Sequence, residues 1–347
     1  MKQQTTVPTY YKDVQRCNIA TIEWNLPSIG YNPMNYTANC VYYHSILNKC
    51  EDPEYREFNA KTGTMVFTKP QGWADPENLN AFIPVKGKRM VGMSTIQEFD
   101  LCKSILGECS DLSKLEQIEK LSSVCVPLGI KLRYSHCSPI VFGTDYPLNP
   151  KGRTGLEGRG TLGNWGPNHA TDPVVCRANP ETGILEFVLI YRAGDRCWAL
   201  PGGFVEAGQT IASARTREFA EEALAGDRYD DETDEEYRER IDNLQEKYKH
   251  LFEKPNPYNV LYAGISDDPR NTDHAWIETM AILTVFEPPF SQIELNAGDD
   301  AAKVSWVEYN PDMNLFASHN LFIFLAVERL FSTGLIEFVD GKHRFIK

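Results

Sequence analysis

The chain holds 347 residues, 42% hydrophobic and 24% charged, an ordinary globular usage that excludes a disordered or fibrous protein. Its formal charge of −13 argues against a nucleic-acid or anionic-membrane binder, because such partners repel an acidic surface. No apolar run approaches the roughly 20 residues that span a bilayer, and nine cysteines without one C-x-x-C pair argue against a zinc ribbon or a disulfide scaffold. A reduced, cytoplasmic monomer with no nucleic-acid or membrane partner is the expectation. A mitochondrial address is the alternative, although the N-terminus lacks the Arg-rich, acid-free character of a presequence.

The length predicts about two domains. Residues 1–150, rich in Tyr, Asn, Pro and Cys, carry strand-like runs at 64–68 and 140–142 and helical patterns at 94–106 and 111–122. They are expected to form a smaller, irregular α+β accessory domain that caps the substrate. Residues 151–169 form a connecting loop, with six glycines between 152 and 166. The pattern then sharpens over 170–347. A strand is predicted at 185–192, a strand end at 198–200, a Pro201-Gly202-Gly203 turn and a helix over 210–224 capped by Thr210. An exposed acidic helical insertion follows at 227–250, then strands at 259–265, 276–286 and 304–308 and a closing helix at 318–331. Strands interleaved with helices imply an α/β domain.

The helix over 210–224 carries the chemistry. Glu218 and Glu222 stand one turn apart on one face with Glu221 beside them, and Arg217 lies four residues before Glu221. Such crowding is unfavourable in isolation. A hard divalent cation, Mg²⁺ or Mn²⁺, converts it into coordination. Phe219 and Ala223 occupy the opposite face and can pack on a sheet. The alternative is a solvated acidic face, against which the preceding Gly-Gly turn weighs. Arg270 offers a planar donor fork suited to a phosphate. Gly158-Arg159-Gly160-Thr161-Leu162-Gly163 satisfies G-x-G-x-x-G, but Asn164-Trp165-Gly166-Pro167 follows where a dinucleotide fold needs a helix. A shaped loop is expected there, with Arg153 or Arg159 reaching substrate.

Gly203, Gln209, Arg217-Glu218 and Glu221-Glu222 fall at the spacing G-x5-E-x7-R-E-U-x-E-E-x-G-U, so the segment resembles the Nudix signature. It departs from that signature at Gln209 (usually glutamate), Phe219 (usually aliphatic) and Leu224 (usually glycine). Further stretches resemble the mitochondrial-type ADP-ribose pyrophosphatase branch, a module also found in melastatin-type cation channels. These are Trp24-Asn25-Leu26-Pro27, Trp73-Ala74-Asp75-Pro76, the 149–169 segment, Asp267 to Asp273, Trp276, Ala297 to Asp300 and Ala317-Ser318-His319. The resemblance implies a Nudix fold, a mixed sheet sandwiched between helices. It also implies Mg²⁺-dependent hydrolysis of ADP-ribose to AMP and ribose 5-phosphate. On that basis Glu218, Glu222 and Glu221 are the expected metal ligands, and Asp299 or Asp300, with Glu278 behind them, supplies the base or a further ligand. Asp268, Arg270, His319, Phe316 and Arg159 are expected on the substrate. Two other functions stay open: an ADP-ribose sensor with little or no hydrolysis, and hydrolysis of another nucleoside diphosphate derivative.

Overall fold

A computed structural model of the chain describes residues 14, 16, 17, 19, 22–24, 30–38, 146–205, 209–225, 229, 231–252, 259–288, 292–298 and 301–346, and the backbone of four short strands within 56–134. Asp299 and Asp300 lie outside the described residues, as do the runs expected at 94–106, 111–122 and 140–142. The chain divides into two compact units. One comprises Met1–His169 with Gly264–Glu278, the other Ala170–Ala263 with Thr279–Lys347.

In the first unit, β1 (Met34–Thr37) pairs in parallel with a later strand. β2 (Arg56–Asn59) and β3 (Thr64–Phe67) form an antiparallel pair, as do β4 (Phe82–Val85) and β5 (Lys131–Tyr134). β6 (Leu156–Gly160) is the partner of β1, so the Gly158–Gly160 stretch lies in a strand that leads into a turn and another strand. That order excludes the dinucleotide reading. The glycine density upstream has a steric cause. At Gly155 (φ +85°) an added Cβ would stand 2.7 Å from the Cys17 carbonyl oxygen, so only glycine lets the two backbones approach. Around it Asp273 gathers the loop: its Oδ2 accepts from the Tyr31 hydroxyl at 2.5 Å and its Oδ1 from the Thr154 N–H at 2.6 Å. Burial and the adjacent Asp273 carboxylate push the Tyr31 phenol well above its ordinary pKa.

The main sheet holds β7 (Gly166–Ala178), β8 (Leu185–Arg192), β9 (Cys197–Ala199), β10 (Gly203–Phe204), β11 (Val260–Ile265), β12 (Ala275–Val285) and β13 (Ala301–Glu308). Its order is β11-β12-β7-β8-β13, with β9 on β8 and β10 on β7. α1 (Ile211–Phe219) runs without a break into a π-helical turn at Ala220–Leu224, followed by α2 (Asp234–Phe252) and α3 (His319–Ser332). β14 (Ile336–Val339) and β15 (Lys342–Phe345) close the chain as a hairpin.

The period-two alternation of β8 explains the layering of the second unit. Leu185, Phe187 and Leu189 point to one face, against Phe322, Ile323, Ala326 and Leu330 of α3. Val188 points to the other, against Phe219 and Ala223 of the acidic helix and Tyr248 and Phe252 of α2. Each Val, Leu, Ile or Phe among them contributes about 1.5–3 kcal/mol on full burial. The fold is therefore α/β, a mixed sheet sandwiched between helices.

Two elements differ from the sequence expectation. The single α-helix over 210–224 widens where the Ala225 N–H bonds to the Ala220 carbonyl at 2.8 Å, five residues back. The acidic insertion is not merely a solvated helix, since Ile241, Tyr248 and Phe252 are buried. Its start is a capping box. The Thr233 hydroxyl accepts from the Glu236 N–H, while the Glu236 carboxylate accepts from the Thr233 N–H and is held below its ordinary pKa by that bond. The cap of α1 is as expected: the Thr210 side chain accepts from the Ser213 N–H at 3.1 Å. Thr210→Ala should cost about 1 kcal/mol, read as a small fall in thermal midpoint. No helix among the described residues is long and apolar enough to cross a membrane.

Candidate active site

In the second unit β9 ends at Ala199, and the chain turns through Leu200, Pro201 and Gly202 into β10, whose Gly203 and Phe204 pair with Thr171 and Ala170. This turn lies on the acidic helix. Glu222 Oε2 accepts the Gly202 N–H at 2.8 Å. A Cβ added to Gly203 would stand 2.5 Å from both carboxylate oxygens of Glu218. Two carboxylates one turn apart therefore meet two consecutive glycines, and both are buried, Glu218 at 8% and Glu222 at 4% exposure. Buried like charges cost free energy unless a positive group compensates. Arg217 does so in part. It donates to Glu218 Oε1 at 2.6 Å, to Glu221 Oε2 at 2.7 Å and to the Phe204 carbonyl at 2.8 Å.

Glu218 and Glu222 converge at the turn, whereas Glu221 sits one step away through Arg217. Among the described residues no group of three His, Cys, Asp or Glu side chains is set for a metal ion. The pair still fits Mg²⁺, which is usually held by one or two carboxylates and completes its shell with water and substrate phosphate oxygens. Gln209, half-buried, directly precedes the Thr210 cap.

Behind the turn the expected His319 meets a residue that the sequence did not single out, Asp172. Asp172, at 7% exposure, accepts from the Thr279 hydroxyl at 2.5 Å and faces His319 Nε2 at 3.5 Å. His319 Nδ1 accepts the Leu200 N–H at 2.8 Å. Nothing in the local pattern marks Asp172, because its role depends on residues more than a hundred positions away. Phe316 is nearby in the chain, with its N–H on the Trp198 carbonyl at 2.9 Å and the Arg192 guanidinium 5.2 Å from its ring centroid.

The first unit holds the remaining candidates. Asp268, buried, grips Arg270 on two edges, Nε to Oδ1 at 2.9 Å and Nη2 to Oδ2 at 2.8 Å, so the guanidinium plane is fixed. Arg16 ties the same loop down, donating to the carbonyls of Pro269 at 2.8 Å, Asn271 at 2.7 Å and Thr154 at 2.9 Å. Glu278 is completely buried and accepts from Trp276 Nε1 at 2.8 Å. Arg159, expected on the substrate, faces the protein interior. Its side chain is completely buried, donating to the Gly163 carbonyl at 2.7 Å with its guanidinium 5.6 Å from the Trp165 ring centroid, which makes it a loop brace. Arg153, half-buried, donates to the Glu23 carbonyl and lies over the Trp24 ring.

Residues 128–166 match the family model described as NUDT9-like, N-terminal domain. A Nudix-hydrolase relative from Caenorhabditis elegans is 44% identical over 183 residues, 52% of this chain and 63% of its own. The rat (Rattus norvegicus) protein named ADP-ribose pyrophosphatase, mitochondrial, is 44% identical over 197 residues, 53% of this chain and 54% of its own. A transient receptor potential cation channel subfamily M member-like 2 from Nematostella vectensis is 41% identical over 198 residues, 54% of this chain and 12% of its own. The chain thus spans between half and two thirds of the length of the first two relatives. With the glycine turn, the arginine and the glutamates assembled as they are, and with 44% identity over about half of its length, the chain is similar to proteins of the Nudix hydrolase family.

Proposed function

We propose that the protein hydrolyses the pyrophosphate bond of ADP-ribose, giving AMP and ribose 5-phosphate, with Mg²⁺ or Mn²⁺ held by Glu218 and Glu222. The observation that carries this reading is the meeting of those two buried carboxylates at the Gly202–Gly203 turn. A bound divalent ion would neutralise the diphosphate and lower the cost of activating water. The chain's own residues do the rest. The Gly202 N–H orients the Glu222 carboxylate, and Arg217 orients Glu218 and Glu221. Phe316 offers a ring face for stacking, and Asp299 or Asp300 supplies the base. In the reaction the oxygen of water joins one phosphorus while the bridging oxygen leaves with the other. The identities with relatives named for ADP-ribose pyrophosphatase and nudix hydrolase activity support the same substrate class.

A sensor that binds ADP-ribose without cleaving it is the second reading, favoured by one observation: Gln209 stands where the signature has a carboxylate. Two experiments separate the readings. A panel of ADP-ribose, dinucleotides and nucleotide sugars, with and without Mg²⁺, should show metal-dependent AMP release fastest from ADP-ribose. Tight binding without AMP would establish the sensor, and a faster dinucleotide would change the substrate. Gln209→Glu should leave kcat equal or raise it a few-fold, since it adds a carboxylate beside the Thr210 cap at the foot of the acidic helix. A marked loss in kcat would mean that Gln209 does other work.

A further inference from the structure

Asp172, Thr279, His319 and Leu200 form a connected set in the second unit. Asp172 Oδ2 is anchored by the Thr279 hydroxyl at 2.5 Å. Its Oδ1 faces His319 Nε2 at 3.5 Å and lies 2.7 Å from where a Cβ on Gly202 would stand. His319 Nδ1 accepts the Leu200 N–H at 2.8 Å. An amide N–H can only donate, so Nδ1 carries no proton and the ring proton of the neutral imidazole sits on Nε2, toward Asp172. At 3.5 Å the latter contact is electrostatic rather than a full hydrogen bond, while the Thr279 bond holds the carboxylate in place.

The set brackets Pro201. On one side the imidazole fixes the backbone of Leu200; on the other Gly202 rests on Asp172 and gives its N–H to Glu222 at 2.8 Å. Gly203 then lies on the Glu218 carboxylate. Any shift of the turn reaches both glutamates. Both ring nitrogens of His319 face protein groups.

We propose that Asp172 and His319 are positioning residues that fix the Leu200–Gly202 turn, and through it the carboxylates of Glu218 and Glu222. The kinetic part of the test rests on the hydrolytic reading above; the spectroscopic part does not. In the full chain with ¹⁵N-labelled histidine, the resonances lost in His319→Gln should be those of a neutral ring protonated on Nε2, and Asp172→Asn should displace them. His319→Ala should lower kcat roughly tenfold and raise the Mg²⁺ concentration for half-maximal rate, with KM for ADP-ribose unchanged within about twofold. His319→Gln, whose side-chain carbonyl can accept the Leu200 N–H, should recover most of the loss. A rise in KM with kcat retained, equal in both variants, would place His319 on the nucleotide and overturn the proposal. So would a His319 ring protonated on Nδ1, or one indifferent to Asp172→Asn. Should the wild-type chain release no AMP, the hydrolytic reading falls, and the ring signature alone upholds or overturns the Asp172–His319 pairing.

Discussion

Glu222→Gln should lower kcat for ADP-ribose by about a thousandfold while the thermal midpoint stays within a few degrees of wild type. The glutamine amide has nearly the same shape, and its oxygen can still accept the Gly202 N–H that Glu222 takes at 2.8 Å. The turn therefore survives. What is lost is the negative charge of Glu222, at 4% exposure, one of the two carboxylates that would hold the cation on the proposed reading. Steady-state kinetics beside a thermal melt reads both quantities. Wild-type turnover in this variant would mean that the ion is held elsewhere.

Gly203→Ala should lower kcat about a hundredfold with little loss of stability, because the effect falls on Glu218 rather than on the backbone. Gly203 has no positive φ, so alanine suits its local conformation. The new methyl carbon would stand 2.5 Å from both Glu218 oxygens. Glu218 must swing aside, which its flexible side chain allows, and its ion pair with Arg217 at 2.6 Å breaks or moves with it. A melt that falls sharply would instead show a backbone clash. Unchanged kcat with an unchanged melt would show that the place of Glu218 against the turn is irrelevant to turnover.

The elements that position this turn were legible because each rests on a local pattern. Alternation in 185–192 anticipates a strand with two apolar faces, and Phe219 and Ala223 opposite the glutamates anticipate a helix laid on a sheet. Thr210 declares its cap by side-chain type alone. Long-range contacts were not legible. Beside the π turn at Ala220–Leu224, Phe219 and Ala223 pack in one core cluster with Phe252 and Phe286, which no local window contains. The insertion buries Tyr248 and Phe252 although its composition is that of a solvated helix. Arg159 reads as a substrate ligand in a glycine-rich loop, yet burial turns it onto Trp165. Asp172, next to a proline in a strand, gives no sign of the histidine and threonine it meets. The membership of 264–278 in the first unit likewise depends on contacts such as that of Arg16 with the Pro269 carbonyl, 253 positions away.

The claim on which these predictions turn is that Glu218 and Glu222 together hold a divalent ion. Titration of Mn²⁺ into the purified chain, with the free-ion signal followed by electron paramagnetic resonance, tests it without recourse to turnover. Wild type should remove the free signal in the presence of ADP-ribose, and Glu218→Gln and Glu222→Gln should each leave most of it in solution. Equal Mn²⁺ uptake by all three proteins would contradict the account.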